Sequence, residues 1–302
     1  MNLQRDDKMD VKDINLGDYD YASTGFQATN IGNAIDIVAK MKKEGATVFL
    51  TFTSNMVASG LRGIFTEMCK KKFVDVIITA GGSIDHDLIR SSKKYLIGDF
   101  MMDDKELHQK GINRIGNILV PNECYVHLEK FMQPVFEELY QSQPDRKVSP
   151  SQIAHKIGEK TNEDSFLHWC TKNKIPVFCP GITDSAIGLQ TYFFKQKRKD
   201  FGIDVTKDMN QLAQMAMNAK KTGGIILGGG ISKHHAIGVN LLRDGFDYAV
   251  YVTTSSPWDG SLSGARTTEG ISWGKIKEKA NHITVDCDAS IAVPLIMKKF
   301  LK

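Results

Sequence analysis

Short apolar runs alternate along this chain with stretches of helical periodicity. Residues 47–53 (Thr-Val-Phe-Leu-Thr-Phe-Thr) form a run of the kind a buried strand needs, as do 74–80, 175–179, 224–227, 246–252 and 283–287. Between them, 31–43 repeats apolar residues at helical spacing and stops at Gly45. Residues 123–143 and 205–221 are long amphipathic stretches suited to covering a sheet. Strand and helix in alternation predict right-handed crossovers and an α/β, Rossmann-like fold. That fold is a single domain with a mostly parallel sheet flanked by helices on both faces, over residues 18–302. Residues 1–17 are polar and weakly patterned and read as an N-terminal arm or disordered lead.

Ligands of such sheets sit at the carboxyl ends of the strands, so the residues that follow each run carry the functional reading. They are Thr53-Ser54-Asn55, Thr79-Ala80-Gly81-Gly82-Ser83, Gly181-Ile182-Thr183-Asp184-Ser185, Gly228-Gly229-Gly230 and Thr253-Thr254-Ser255-Ser256. Glycine lets backbone approach a pyrophosphate, hydroxyls donate to its oxygens, and helix N-termini favour its charge. Each segment alone also reads as an ordinary turn. Their coincidence points to a dinucleotide site, although the G-x-G-x-x-G and G-x-x-x-x-G-K-[ST] fingerprints are absent. Asp184 and Asp288 stand where a carboxylate accepts hydrogen bonds from ribose hydroxyls. Asp288 reads equally as the N-cap of a helix starting at Ala289-Ser290-Ile291.

Composition narrows the classes. In 302 residues, 41% are apolar, enough for a substantial core, and the formal charge of +4 is spread along the chain. The densest basic run, Lys195 to Lys199, has no interleaved aromatics and reads as a solvated helix end, which argues against a nucleic-acid partner. Five cysteines, none in a C-x-x-C pair, argue for free thiols in a reducing cytoplasm. Neither a signal core beside Arg5, Asp6, Asp7 and Lys8 nor an 18-residue apolar run is present, so a soluble, cytoplasmic protein is expected.

Two segments carry candidate chemistry. In Ser263 to Lys275, a loop rich in small residues leads to Trp273-Gly274-Lys275. Lys275 is a nucleophile if apolar walls or a neighbouring cation favour its neutral amine, with Trp273 as such a wall. Alternatively it opens the cationic face of a helix continuing through Lys277 and Lys279. In Gly228 to His235, the adjacent His234 and His235 would point about 100° apart on a starting helix, so no shared metal is expected. One of them suits a general base, or both are helix-start and packing residues.

Taken together, Gly25-Phe26-Gln27-Ala28-Thr29-Asn30, Thr53-Ser54-Asn55, Gly111 to Asn117, Leu227 to Gly230, Lys233-His234-His235, Asp259-Gly260-Ser261 and Ser272 to Lys275 resemble deoxyhypusine synthase, in order from about residue 18. The resemblance implies an NAD-dependent enzyme that oxidises spermidine and moves its aminobutyl group onto an enzyme lysine. The group then passes to one lysine of the precursor of the hypusine-bearing translation initiation factor. It implies Lys275 as the imine-forming nucleophile, His234 as base, Trp273 along the donor's methylenes, and Glu269 against an ammonium. It also implies cofactor contacts at Ser54, Asn55, Thr79, Gly81, Asp184, Gly229, Thr254, Ser255 and Asp288, and a homotetramer with active sites shared across dimer interfaces. Three departures stand out. Leu189 and Leu262 replace aspartates that hold polyamine ammonium groups in the eukaryotic enzymes, and burying an ammonium without an anion is costly. Gly81 to Asp87 is one residue longer, which leaves Asp85 and His86 without an assigned role. Spermidine held by other acids such as Glu269 and Asp259, agmatine as donor, transfer to a free diamine as in homospermidine synthase, and an NAD-binding regulatory subunit are the readings that follow.

Overall fold

The apolar runs emerge as strands β1 (Thr47–Phe52), β2 (Val76–Thr79), β3 (Thr222–Leu227), β4 (Phe246–Thr253) and β5 (Ile276–Asp286). They stand in the order β5-β4-β3-β1-β2. The pairs β1/β3, β3/β4 and β4/β5 are all parallel. The structure is a computed structural model that describes Lys12 and residues 20–301, so the expected arm over 1–17 lies, Lys12 apart, outside the described residues. Internal contacts divide the chain into two units. The first takes the chain up to Phe52, Phe73–Ile78 and Asn210 onward, and the second takes Thr53–Lys72 and Thr79–Met209.

In the first unit, alternation along β4 turns side chains to both faces of the sheet. Tyr248 donates to Glu44 (2.5 Å), just beyond the helix Phe26–Lys43. Tyr251, three residues on, turns its ring to Lys233 in the helix Gly230–Val239. Helices therefore cover both faces, as the strand and helix pattern predicts. Gly223 on β3 has a packing cause, since a Cβ there would lie 2.4 Å from the Met41 sulfur.

One expectation is corrected here. The helix reading of Lys275 to Lys279 fails, because β5 starts at Ile276, well before the expected 283–287. Pairing with β4 overrides the charge pattern. Lys277 Nζ then donates to Asp247 (2.7 Å), whose other oxygen takes Arg243 Nη1 (2.7 Å).

The second unit contains what the periodicity left unread. The strands Leu96–Ile97, Ile118–Pro121 and Ile112–Ile115 form an antiparallel sheet in that order, with Gly116 in the left-handed turn (φ 60°) of the hairpin. The helix Asn122–Ser142 follows close to its predicted span, whereas the run at 175–179 yields only Val177–Phe178. Asp85 and Asp87, both on the helix Gly81–Arg90, tie down two further helices. Asp85 accepts from the Ala186 and Ile187 amides (2.8 and 3.0 Å) at the start of Ala186–Lys197, and burial pushes its carboxyl up to about 7 against the pull of those two bonds. Asp87, fully buried, accepts from Arg62 Nε (2.7 Å), the Ser165 hydroxyl (2.6 Å) and the Leu167 amide (3.1 Å) at the start of Phe166–Asn173. His86 lies 2.8 Å from the Tyr95 hydroxyl through Nδ1, and burial pushes it down to about 4, so it is neutral near pH 7.

All five cysteines are free, and Cys69 and Cys170 meet with their sulfurs 3.4 Å apart despite their distance in sequence. No described helix is long and apolar enough to cross a membrane. Asp87→Ala strands the Arg62 guanidinium and the amides of Phe166 and Leu167 in the interior. It is expected to cost about 3–5 kcal/mol of unfolding free energy, read from the urea midpoint. A loss below about 1 kcal/mol, the scale of an exposed pair, would contradict the role given to Asp87.

Candidate active site

Lys275 sits where a helix is made to stop. The helix Thr267–Ser272 ends at Trp273, and Gly274 turns left-handed (φ 66°). The Gly274 amide bonds to Ile271 O and the Lys275 amide to Gly270 O, each at 2.9 Å, the paired bonds of a Schellman cap. On the far side Lys275 O accepts from the Phe246 amide (3.1 Å) as β4 begins. Gly245 presses against the same turn, where a Cβ would come 2.8 Å from both Gly274 O and Lys275 C. The backbone of Lys275 is thus fixed by its neighbours while its side chain stays half-exposed. The front of this helix is tied to β5. The Thr267 amide donates to Thr284 Oγ1 (3.1 Å), His282 Nδ1 meets Thr267 Oγ1 (2.9 Å), and Arg266 pairs with Asp286.

The opposite wall comes from Gly230–Val239, which follows β3 through a turn with Gly228 and Gly230 at positive φ. Gly229 is pressed against the loop after β4, and a Cβ there would lie 2.2 Å from the Ser263 hydroxyl. His234 is exposed on this helix and Lys233 is buried beside it.

A cavity of about 310 Å³ opens between these pieces of the first unit, and Lys275, Trp273, Glu269, His234 and Leu262 all line it. The Lys275 ammonium lies 5.0 Å from the centre of the Trp273 ring, a cation–π distance, so this ring is a partner for charge as well as an apolar wall. Trp273 is 66% exposed, which leaves ring surface for an aliphatic ligand.

The polar lining residues Lys233, Tyr251 and Arg266 were given no role from the sequence. Lys233 is 1% exposed; its Nζ donates to Ala265 O (2.7 Å) and lies 4.4 Å from the Tyr251 ring centre. Burial pushes the ammonium down to about 8; the nearby Glu269 carboxylate resists this and Arg266 adds to it. Burial raises Tyr251 above the usual phenol range, and its enclosed hydroxyl meets no hydrogen-bond partner among the described residues. The signal for Lys233 was present in the spacing, since it shares the buried face of its helix with Ala236 and Ile237. The cavity lining therefore carries the cations Lys233, Arg266 and Lys275 against one carboxylate, Glu269.

Other expected residues lie elsewhere. Asp259 is exposed and outside the lining; it accepts from the Ser261 amide (2.7 Å), a bond that holds its carboxyl below the usual range. Leu189 is exposed on Ala186–Lys197 in the second unit. Among the expected cofactor residues of the first unit, Thr254 and Ser255 follow β4 directly, with the Ser255 amide on Thr253 Oγ1 (3.1 Å). Asp288 does cap Ala289–Met297, accepting from the Ser290 amide (2.6 Å).

In the second unit, Gly81 faces Ser185 and Ile182, where a Cβ would lie 2.5 Å from Ser185 Cβ and 3.0 Å from Ile182 O. A Cβ on Gly82 would lie 2.9 Å from Ser54 Cβ. These glycines are thus required by packing of the protein on itself. Thr79 donates to Ser83 (2.6 Å), Asn55 accepts from Thr53 (2.6 Å), and Asp184 is exposed in the turn before Ala186–Lys197. The helix Gly81–Arg90 starts without a side-chain cap, whereas the first amide of Gly230–Val239 is taken by the Ser263 hydroxyl (3.3 Å). The uncapped start of Gly81–Arg90 offers amide donors suited to an anionic group.

The family model for deoxyhypusine synthase matches residues 19–300. The chain belongs to the deoxyhypusine synthase family. Proteins named probable deoxyhypusine synthase are 45% identical in Methanocaldococcus jannaschii (93% of this chain, 91% of that one) and 44% identical in Pyrococcus furiosus (93% and 89%). The one from Thermoplasma acidophilum is 44% identical, covering 96% of this chain and 94% of its own. A crystal structure of a candidate deoxyhypusine synthase from Entamoeba histolytica superposes with a TM-score of 0.70 at 27% identity, over 92% of this chain and 90% of the other. The ornithine and NAD⁺ complex of AgrE shares the fold alone, at 15% identity and a TM-score of 0.55 over 90% of this chain and 32% of the other. This chain is accordingly an enzyme of deoxyhypusine synthesis, a transferase.

Gly274 gives the site its sharpest local test. Gly274→Ala forces a side chain into left-handed backbone and is expected to cost about 1–2 kcal/mol, measured as a lowered unfolding midpoint. Gly274→Asn, whose residue tolerates that conformation, should cost less. Equal midpoints for wild type and Gly274→Ala would contradict the assigned turn.

Proposed function

We propose that this enzyme transfers the aminobutyl group of spermidine, through an imine on Lys275, to one lysine of the precursor of the hypusine-bearing translation initiation factor, with NAD as cofactor. The observation that carries this reading is the meeting of Lys275, Trp273, His234 and Glu269 at one cavity. NAD, when bound, takes up the hydride that oxidises the donor and returns it to the final imine. Gly229, Thr254, Ser255 and Asp288 in the first unit, and Ser54, Asn55, Thr79, Gly81 and Asp184 in the second, are the residues this reading assigns to it.

The chain's own side chains do the rest. His234, exposed on its helix, accepts the proton released from the donor nitrogen. The Lys275 amine adds to the oxidised carbon of the donor, expels the departing amine, and is itself displaced by the acceptor lysine. Glu269, the one carboxylate of the lining, pairs with an ammonium, while the exposed Trp273 ring covers methylenes. The same reading has the enzyme act in the cytoplasm as a homotetramer.

A second donor is favoured by one observation. Leu262 lines the cavity, so the wall where the eukaryotic enzymes carry an aspartate is apolar here. A guanidinium spreads its charge over a plane and is more weakly hydrated than an ammonium, which suits agmatine to a site with a single carboxylate.

Incubation with NAD, labelled spermidine or labelled agmatine, and the factor precursor tests both donors. Label is expected on the factor, and Lys275→Arg should lower it by a factor on the order of a thousand or more. Label appearing only on added free putrescine would replace the protein acceptor with a diamine. No transfer from either donor would leave a nucleotide-binding subunit without turnover.

A further inference from the structure

We propose that Lys233 is a positioning residue of this site: its ammonium, clamped between the Tyr251 ring and the Ala265 carbonyl, holds the Ser261 to Ala265 wall in the register that presents Leu262 to the donor. The inference rests on the donor-binding reading above. A fully buried lysine is rare, and an apolar side chain of similar length would fill the same space without losing the hydration of a cation. What an apolar residue would lack is the hydrogen bond to Ala265 O (2.7 Å) and the cation–π contact with Tyr251 (4.4 Å).

Elsewhere the wall is held at its middle and by its own turn, in which the Ala265 amide donates to Ser261 O and Leu262 O (3.2 Å each). The Gly230 amide and the Thr253 hydroxyl grip Ser263 at 3.3 and 3.2 Å, and Gly264 packs on the Ser256 carbonyl. Ala265 is the point where the wall passes into Arg266 and the helix that carries Glu269. Removing its anchor loosens the turn that carries Leu262, while the helix that carries Glu269 stays tied to β5 through Thr267 and Arg266.

The clamp depends on charge. A charged donor makes a hydrogen bond roughly twice as strong as a neutral one, and the ring attracts only the cation. Tyr251 from β4, Glu269 and Arg266 from the neighbouring helix and its cap, and His234 beside it on its own helix are the titratable and charged groups that face Lys233, with Lys275 across the cavity. Because its proton is lost near pH 8, the wall should loosen above that pH. Global stability moves the other way. The unfolded chain binds this proton more tightly, so stability rises from about pH 8 to the free lysine value of about 10.4. Weaker donor binding in that window is therefore not unfolding.

The test compares wild type, Lys233→Arg and Lys233→Met from pH 7 to pH 9.5, with donor KM and kcat from the transfer assay and the rate of proteolytic cleavage within 254–265. The wild-type KM should rise above pH 8 with kcat retained. Lys233→Met should show a KM raised about tenfold or more at pH 7, the scale of one lost charge-assisted bond, together with faster cleavage. Lys233→Arg, charged throughout, should flatten the alkaline rise, whereas titration of the donor itself would act on all three enzymes alike. Wild-type KM and cleavage rates in both variants would overturn the proposal, as would a loss confined to kcat. Absence of transfer by the wild type would refute the function proposed above, and the cleavage rates would still decide the role of Lys233. If Lys233→Met fails to fold, the Lys233→Arg comparison decides it.

Discussion

The left-handed turn at Gly274 is the constraint on which the rest of this site depends. A helix of six residues, Thr267–Ser272, cannot hold a reactive side chain in place through its own hydrogen bonds. It is fixed instead at both ends: Thr267 and Arg266 tie its start to β5, and the Schellman bonds at Gly274 and Lys275 pass its end directly into the same strand. Gly245, one residue before β4, has no Cβ to separate the two segments, so the Lys275 carbonyl reaches the Phe246 amide. A flexible four-carbon side chain thus starts from a Cα whose position is set by a parallel sheet. Pre-organisation of that kind is what the nucleophilic role proposed for Lys275 requires.

Charge shapes the cavity as strongly as backbone does. Of the lining cations, Lys233 is spent on Ala265 O and Arg266 on Asp286, while Glu269 is the one carboxylate of the lining. The arrangement suits a donor that presents one cationic group to Glu269 and lays its methylenes on Trp273 and Leu262. The lysine beside His234 fits the same economy of contacts, since its ammonium is spent on a backbone carbonyl and a ring within the protein.

Much of this was legible in the residues, for identifiable reasons. β1, β3 and β4 are dense in β-branched and aromatic residues and buried along nearly their whole length, so the apolar runs located them within a few residues. The Lys277 to Lys279 segment misled because its charges suit a helix face, while the decisive information was the Gly274 stop and pairing with β4. The antiparallel sheet around Gly111 to Asn117 has strands of two to four residues, too short for alternation to register. The glycine-rich strand ends were found, yet Gly81, Gly82 and Gly229 answer to contacts within the protein that only coordinates reveal. The sequence left Asp85 without a role and did not single out Asp87, and the helix-start amides they hold lie about eighty to a hundred residues away in sequence. No local pattern reports such a pairing.

The central claim is that the pinned lysine forms the covalent intermediate, and the buried Lys233, whose ammonium burial pushes down to about 8, is its natural rival. Borohydride reduction of the enzyme during turnover, followed by peptide mass spectrometry, separates them. The account predicts a stable aminobutyl adduct on the peptide carrying Lys275 and none on Lys233; an adduct on Lys233, or turnover without any adduct on Lys275, would contradict it.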